Sequence, residues 1–560
     1  MSERAGKKLQ VVHRLGTGGE SGVREEPSSP GSGRILVRDL SFSYTGAPES
    51  SLEADRFEAG EGEVILITGR SGSGKSTLVN CINGVIPHIF HGNLSGTVMT
   101  SGLTVGDTPL FKISSHVGTL LQDPTTQVLN YTVEEEVAFG PENLCLQPEE
   151  IASRVKEAID ITGMNTMLDR ETYTLSGGEM QRLAFASVLA MKPEILILDE
   201  PTSNIDPEGT EKIFELLKSL ARKKTILVVE HKVERVLTFV DRIILVDGGR
   251  ITLDIEKKDL PDHLEDLISA GIEIPEHYLV ARKLGIDATD VQSVRKIAAE
   301  SGLNFRSPDR SVTGKMVLNA HSIVHSDRPC PLVDTGFSLF EGEMLAIMGR
   351  NGAGKSTLLN SLCGMLDMRL KAEISLRVGD NDLSFSSVQE VGRHIAYIPQ
   401  AFDIVLINST VEDEISYSMR KRGRTDRKQL RERTEYFLKM FSLWEVKDRD
   451  PLTLSFGQRR RVAMASALSS GARIVMMDEP TSGQDFYHRE MLGKELSSLR
   501  SQGVSFVVVT HDARFVYRHA NMMMIMDGGK KVIEGTPEEC FRESEKYGII
   551  PPSDFLVRCG

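Results

Sequence analysis

A chain of 560 residues is too long for one hydrophobic core of ordinary size and predicts two or more domains. Hydrophobic residues make up 40% and charged residues 26%, as in globular proteins, and 66 Lys and Arg against 79 Asp and Glu leave a formal charge of -13, which argues against a bulk attraction to nucleic acid. The six cysteines (Cys81, Cys145, Cys330, Cys363, Cys540, Cys559) show no Cys-x-x-Cys spacing, so neither a disulfide framework nor a zinc or iron-sulfur site is expected. Apolar runs such as Val64 to Ile67 and Ile195 to Leu198 fall far short of the ~18 residues of a membrane span.

Taken in chain order, Met1 to Arg34 is rich in Gly, Ser and charge and reads as a flexible tail without the apolar core of a signal peptide. Val64 to Ile67 then reads as a buried strand, followed by Gly69-Arg70-Ser71-Gly72-Ser73-Gly74-Lys75-Ser76-Thr77 and a helical pattern. Strand, Gly-x4-Gly-Lys-Ser and helix are the context of a phosphate-binding P-loop. The glycines let backbone amides turn inward around phosphates, and the helix start adds its dipole. Lys75 is expected at the β and γ oxygens and Ser76 on Mg²⁺. A second apolar run, Ile195 to Leu198, ends in Asp199-Glu200. Acids at the carboxyl end of a parallel strand lie where the phosphates do, so Asp199 is assigned to the Mg²⁺ shell and Glu200 to polarising the attacking water. A third strand, Thr225 to Val229, ends at Glu230-His231, with His231 read as a γ-phosphate contact.

All of this returns. Gly349-Arg350-Asn351-Gly352-Ala353-Gly354-Lys355-Ser356-Thr357 repeats the first P-loop 280 positions on. Leu454-Ser455-Phe456-Gly457-Gln458 repeats Leu175-Ser176-Gly177-Gly178-Glu179, and Asp478-Glu479 repeats Asp199-Glu200, both at 279; His511 stands 280 after His231. Even the ends agree, Gly271-Ile272 with Gly548-Ile549. Two copies of one α/β domain are expected, over residues 35–283 and 314–560, joined by a polar linker, 284–313, with one short helix.

Together the P-loops, the Leu-Ser-x-Gly segments, the Asp-Glu strand ends and the histidines resemble the ATPases of the ABC (ATP-binding cassette) family. The resemblance implies in each copy a mainly parallel core sheet, an antiparallel β subdomain and a helical signature subdomain. It implies ATP and Mg²⁺, Gln122 and Gln400 as further Mg²⁺ ligands, and Tyr44 as an adenine-stacking ring. It also implies composite sites closed between the two copies of one chain. One pairs Lys75, Asp199, Glu200 and His231 with Ser455 and Gly457; the other pairs Lys355, Asp478, Glu479 and His511 with Ser176 and Gly178. Tyr44 aligns with Val324, so weaker nucleotide affinity is expected at the second P-loop.

Around Gln122, the run Gln122-Asp123-Pro124-Thr125-Thr126-Gln127 and then Thr132-Val133-Glu134-Glu135-Glu136 looks like the ATPases of energy-coupling factor importers for vitamins or metal ions. That likeness implies a transmembrane coupling protein, a separate substrate-binding membrane subunit and a peripheral place on the cytoplasmic face of the membrane, with Asp123, Glu134, Glu135, Glu136 and Glu142 suited to partner arginines. In the second copy Gln400-Ala401-Phe402-Asp403 departs from the pattern. The alternative is a soluble tandem ABC ATPase acting on ribosomes or nucleic acid. Such proteins carry a long basic arm and Asn-His-Leu-Asp after the Asp-Glu strand, where this chain has Ser203-Asn204-Ile205-Asp206 and Ser482-Gly483-Gln484-Asp485.

Overall fold

The computed structural model describes residues 34–46, 50–201, 207–287, 291–301, 310–311, 314–325, 331–366, 370–384, 387–421, 426–482 and 484–559, without the side chains of Pro207, Glu208 and Phe456. The expected tail up to residue 33, the stretch Ser203 to Asp206, Gly483 and parts of the expected linker lie outside the described residues.

Among the described residues ten strands form in the first copy: β1 Ile35–Tyr44, β2 Leu52–Ala59, β3 Val64–Thr68, β4 Gly92–Thr100, β5 Leu103–Thr104, β6 Val117–Leu120, β7 Ile195–Asp199, β8 Thr225–Val229, β9 Arg242–Asp247 and β10 Arg250–Glu256. The second repeats them as β11 Met316–His325, β12 Val333–Phe340, β13 Met344–Met348, β14 Lys371–Val378, β15 Asn381–Asp382, β16 Ile395–Ile398, β17 Ile474–Asp478, β18 Ser505–Val509, β19 Met522–Asp527 and β20 Lys530–Gly535. The core orders match, β6-β7-β8-β3-β9-β10 and β16-β17-β18-β13-β19-β20, parallel except for the last strand of each. Antiparallel strands β5-β4-β1-β2 and β12-β11-β14-β15 complete the copies. In the first they join the core sheet through a single pair, Arg250 with Glu53, whereas in the second they stay separate.

The core strands are apolar at consecutive positions because both faces are covered. Val64 and Leu66 pack into one core with the helix Gly177–Ala190, while Ile65 and Ile67 face the opposite core with β1 and the P-loop helix Lys75–Ile82. Helices Val133–Asn143, Pro148–Thr162 and Gly177–Ala190 form the helical part of the first copy; Val411–Lys421, Arg427–Met440 and Phe456–Ser469 form that of the second. The Leu-Ser-x-Gly segments begin helices for a local reason. Ser176 and Ser455 are N-caps of capping boxes closed by Glu179 and Gln458, which satisfy amides that a helix start leaves without partners.

The copies dock through their carboxy-terminal segments. Glu276 N donates to Ser553 Oγ at 3.2 Å, joining positions that correspond in the two copies. Beside this contact lies a buried chain of charges. Arg489 binds Glu273 of the first copy and, at 2.6 Å, Asp512 of its own. Arg514 reaches Glu273 at 3.2 Å and Asp554 at 2.7 Å, and donates to the Ile274 carbonyl. Arg518 continues from Asp554 to Glu490. Helix Val291–Glu300 buries Val294 and Ala298 against Val280, Ala281 and Val557, so the connection between copies is packed on the same junction.

Candidate functional site

Both P-loops hold one geometry. Gly69 and Gly349 leave the core strand with φ of 153° and 154°, and Gly72, Gly74, Gly352 and Gly354 also take positive φ, the region where glycine pays no Cβ penalty. Lys75 Nζ donates to the carbonyls of Gly69 and Arg70 at 2.9 and 2.8 Å; Lys355 Nζ does the same to Gly349 and Arg350 at 2.7 and 2.9 Å. Both lysines are thereby folded over their own loops. Burial lowers the Lys75 pKa, and Glu200 and Asp199 oppose that shift.

In the first copy the acids and amides converge. Ser76 Oγ donates to Asp199 at 3.4 Å, and Gln122 Nε2 donates to Glu200 Oε2 at 2.8 Å. His231 Nε2 lies 3.0 Å from Glu200 Oε1, so this carboxylate is held between a glutamine and a histidine. Burial, then the neighbouring Glu200, raises the Asp199 pKa. Thr77 shares a 3.3 Å hydrogen bond with Tyr44, whose ring stands edge-on to Phe42. Ser73 is buried beneath the loop. The amide of Ser71 donates across the interface to Asp485 of the second copy at 3.0 Å, and Arg70 sits over the Tyr487 ring. Burial works against an ionised Asp485, but hydrogen bonds from His488 and Ser71 hold its pKa below the usual carboxylate range. Ser455 and Gly457 begin the signature helix of that copy, and Gly457 packs against His488.

The second P-loop opens on a cavity of about 320 Å³. Asn351, Gly352, Gly354, Lys355, Ser356 and Thr357 form one wall, and Gln400, Glu479 and His511 face them. Ala353 is buried behind the loop. Gly177 of the first copy, flanked by Ser176 and Gly178, also lines this cavity, as does Lys232. His511 Nε2 is 3.3 Å from Glu479 Oε1. Burial pushes the Glu479 carboxyl up to about 7, against Lys355; burial, Lys355 and Lys232 bring the His511 imidazole down to about 3 and keep it neutral. Burial raises the Asp478 pKa, and the nearby hydroxyls of Ser356 and Tyr397 and the Lys355 ammonium oppose that rise. Its Oδ1 is buried without a hydrogen-bond partner among the described residues, an open acceptor that suits a hard cation.

Several features escaped the sequence. Tyr397, Asp485 and Lys232 join the sites through tertiary contacts alone, although the change from His511-Asp512 to His231-Lys232 could have drawn attention to Lys232. Glu136 requires a correction. It is buried, and its Oε2 accepts from the amides of Leu129 and Asn130 and from Asn130 Nδ2 at 2.8–3.0 Å, so it holds a loop and faces no partner. Glu414 does the same in the second copy. Glu135 closes the capping box with Thr132. Glu134 and Glu142 are exposed, and with Glu135 they rim a groove of about 550 Å³ floored by Ala138, Ile151 and Val155. Val324, opposite Tyr44 in the alignment, is buried and offers no face to a base. The Phe456 side chain lies outside the described residues.

Among the described residues no helix is long and apolar enough to cross a membrane, and no cluster of three or more His, Cys, Asp and Glu could by itself hold a metal ion.

The ABC transporter family profile matches residues 52–203 and 332–482, one segment around each P-loop. A protein of Saccharolobus solfataricus named "Putative ABC transporter ATP-binding protein" is 49% identical over 93% of this chain and 97% of its own length. One of the same name from Methanosarcina mazei is 34% identical over 92% and 90%. Among solved structures, that of an RNase-L inhibitor superposes with a TM-score of 0.57 over 90% of this chain and 92% of its own, at 17% identity, a likeness of fold alone. Two matched segments and relatives spanning both copies establish that the chain belongs to the ABC transporter ATP-binding family and is a tandem ATPase.

Proposed function

We propose that the chain energises a membrane importer, hydrolysing ATP at two composite sites and docking on separate membrane-spanning subunits. The cavity in which the second P-loop meets Gly177 of the first copy supports the composite arrangement most directly. In this reading residues 35–283 and 314–560 are the two motor units, and 284–313 links them.

Lys75 and Lys355 leave their loop carbonyls for the β and γ oxygens of ATP, which the P-loop amides cradle. Ser76, Asp199 and Gln122, and likewise Ser356, Asp478 and Gln400, hold Mg²⁺, which when bound supplies positive charge against the phosphates. Tyr44 stacks on adenine. Ser176 and Gly178 close the Lys355 site; Ser455 and Gly457 close the Lys75 site. Glu200 and Glu479 each accept a proton from the water that attacks the γ-phosphorus, while the bond from that phosphorus to the bridging oxygen breaks, leaving ADP and inorganic phosphate. Glu479, held at about 7, is matched to such proton transfer. His231 and His511 stand beside these carboxylates to bind the γ-phosphate.

The groove of Glu134, Glu135 and Glu142 supports the transport half of the reading. An apolar floor with an acidic rim fits an amphipathic helix carrying arginines. The test is to solubilise membranes in mild detergent and identify what copurifies with the tagged chain. A multi-span protein that is lost on Glu134→Lys with Glu142→Lys, while ATP binding persists, is the expected result. Recovery of ribosomal or nucleic-acid components alone would leave the ATPase and remove the importer.

A further inference from the structure

Lys232 follows His231 at the end of β8 in the first copy, yet it lines the cavity of the second P-loop with Lys355, Glu479, His511 and Asp512. Its amide donates to Glu230 Oε1 at 3.2 Å, which fixes the base of the side chain, and the residue is exposed towards the cavity. Its charge acts on Glu479, His511 and Asp512 of the other copy. The arrangement is not reciprocal. The residue after His511 is Asp512, which is buried and held by Arg489 at 2.6 Å. One exchange of residue after the histidine therefore places a cation from the first copy in the second site and gives the first site no such group from Asp512.

Local charge explains what that cation can do. Asp478, Glu479 and Asp512 place three carboxylates at or beside the cavity, and a triphosphate adds further negative charge. A second ammonium opposite Lys355 offsets this, because a hydrogen bond between an ammonium and a phosphate oxygen is strengthened by both charges.

We propose that Lys232 supplies, from the first copy, a cation to the terminal phosphate of a nucleotide on the second P-loop, so that this site is complete only when the copies are docked. The proposal rests on the reading of that cavity as a nucleotide site.

The full chain carrying Lys75→Ala retains only the second P-loop, and equilibrium binding of ATP and ADP to it reads the effect. Adding Lys232→Met is expected to weaken ATP about tenfold and ADP less, with recovery in Lys232→Arg. The loss belongs to this background; in the Lys355→Ala chain, which keeps the first P-loop, it is absent. Unchanged ATP affinity in the Lys75→Ala background, or an equal fall in both backgrounds, overturns the role of Lys232. The nucleotide-site reading has its own control, because ATP binding by the Lys75→Ala chain must vanish on adding Lys355→Ala; binding that persists overturns both.

Discussion

Gly69 follows β3 at φ 153°, and a Cβ there would stand 2.1 Å from the Val246 carbonyl oxygen. Gly72, three residues before the P-loop helix, has φ 78° and open space around it. The two glycines thus differ in kind, one needing both conformation and room, the other conformation alone. Gly69→Ala should lower stability by about 3 kcal/mol and abolish ATP binding, because either β9 or the loop must shift. Gly72→Ala should cost about 1 kcal/mol, the left-handed penalty by itself. Urea unfolding of the two variants, read beside ATP binding, checks the contrast; equal shifts would refute it. Both glycines were legible as a P-loop, but their difference was not, since β9 lies far along the chain from β3. Glu200 and Glu479 likewise take φ of 45° and 47°, a conformation that no spacing reveals. Its recurrence at corresponding positions fits carboxylates aimed by the backbone as well as by their partners.

Among elements, the core strands were the most readable because burial on both faces leaves an unbroken apolar run, as in Ile195 to Leu198 and Thr225 to Val229. The acidic start of helix Val133–Asn143 misled at one position. Three successive glutamates look alike in sequence, yet the helical turn sends Glu136 inward to the Leu129 and Asn130 amides. The charge chain across the copies could not be foreseen at all, since Glu273 and Arg489 are paired only by docking. Arg489→Met should weaken that junction by about 3 kcal/mol, because buried Asp512 loses its ion-pair partner and Glu273 keeps only Arg514. Hydrogen exchange in Glu276–Leu284 and Ser553–Arg558 measures it, and faster exchange in both helices is expected. Exchange that stays at the parent rate in Arg489→Met would mean that the charges add nothing to docking.

For the whole molecule, both halves of the second cavity come from one chain, through Gly177 and Lys232 on one side and the P-loop on the other. A tether that keeps such surfaces near each other acts as a high effective concentration. ATP hydrolysis per chain should therefore stay constant from roughly 10 nM to 10 µM protein, as an intramolecular closure requires. Specific activity that climbs with concentration would instead indicate sites shared between chains.

A duplicated module ordinarily keeps the option of pairing like with like. Here the junction is built from residues that the two copies do not share. Glu273 aligns with Ile550, Arg489 with Thr210 and Arg514 with Glu234, so the carboxylate that Arg489 and Arg514 share from across the junction exists on one copy only. Two first halves set together would bring Glu273 without Arg489 or Arg514 across from it; two second halves would set those arginines opposite Ile550. Copies that share a fold and a P-loop are in this way unlike at the surface where they meet, since the arginines stand on one side and the carboxylate they share on the other.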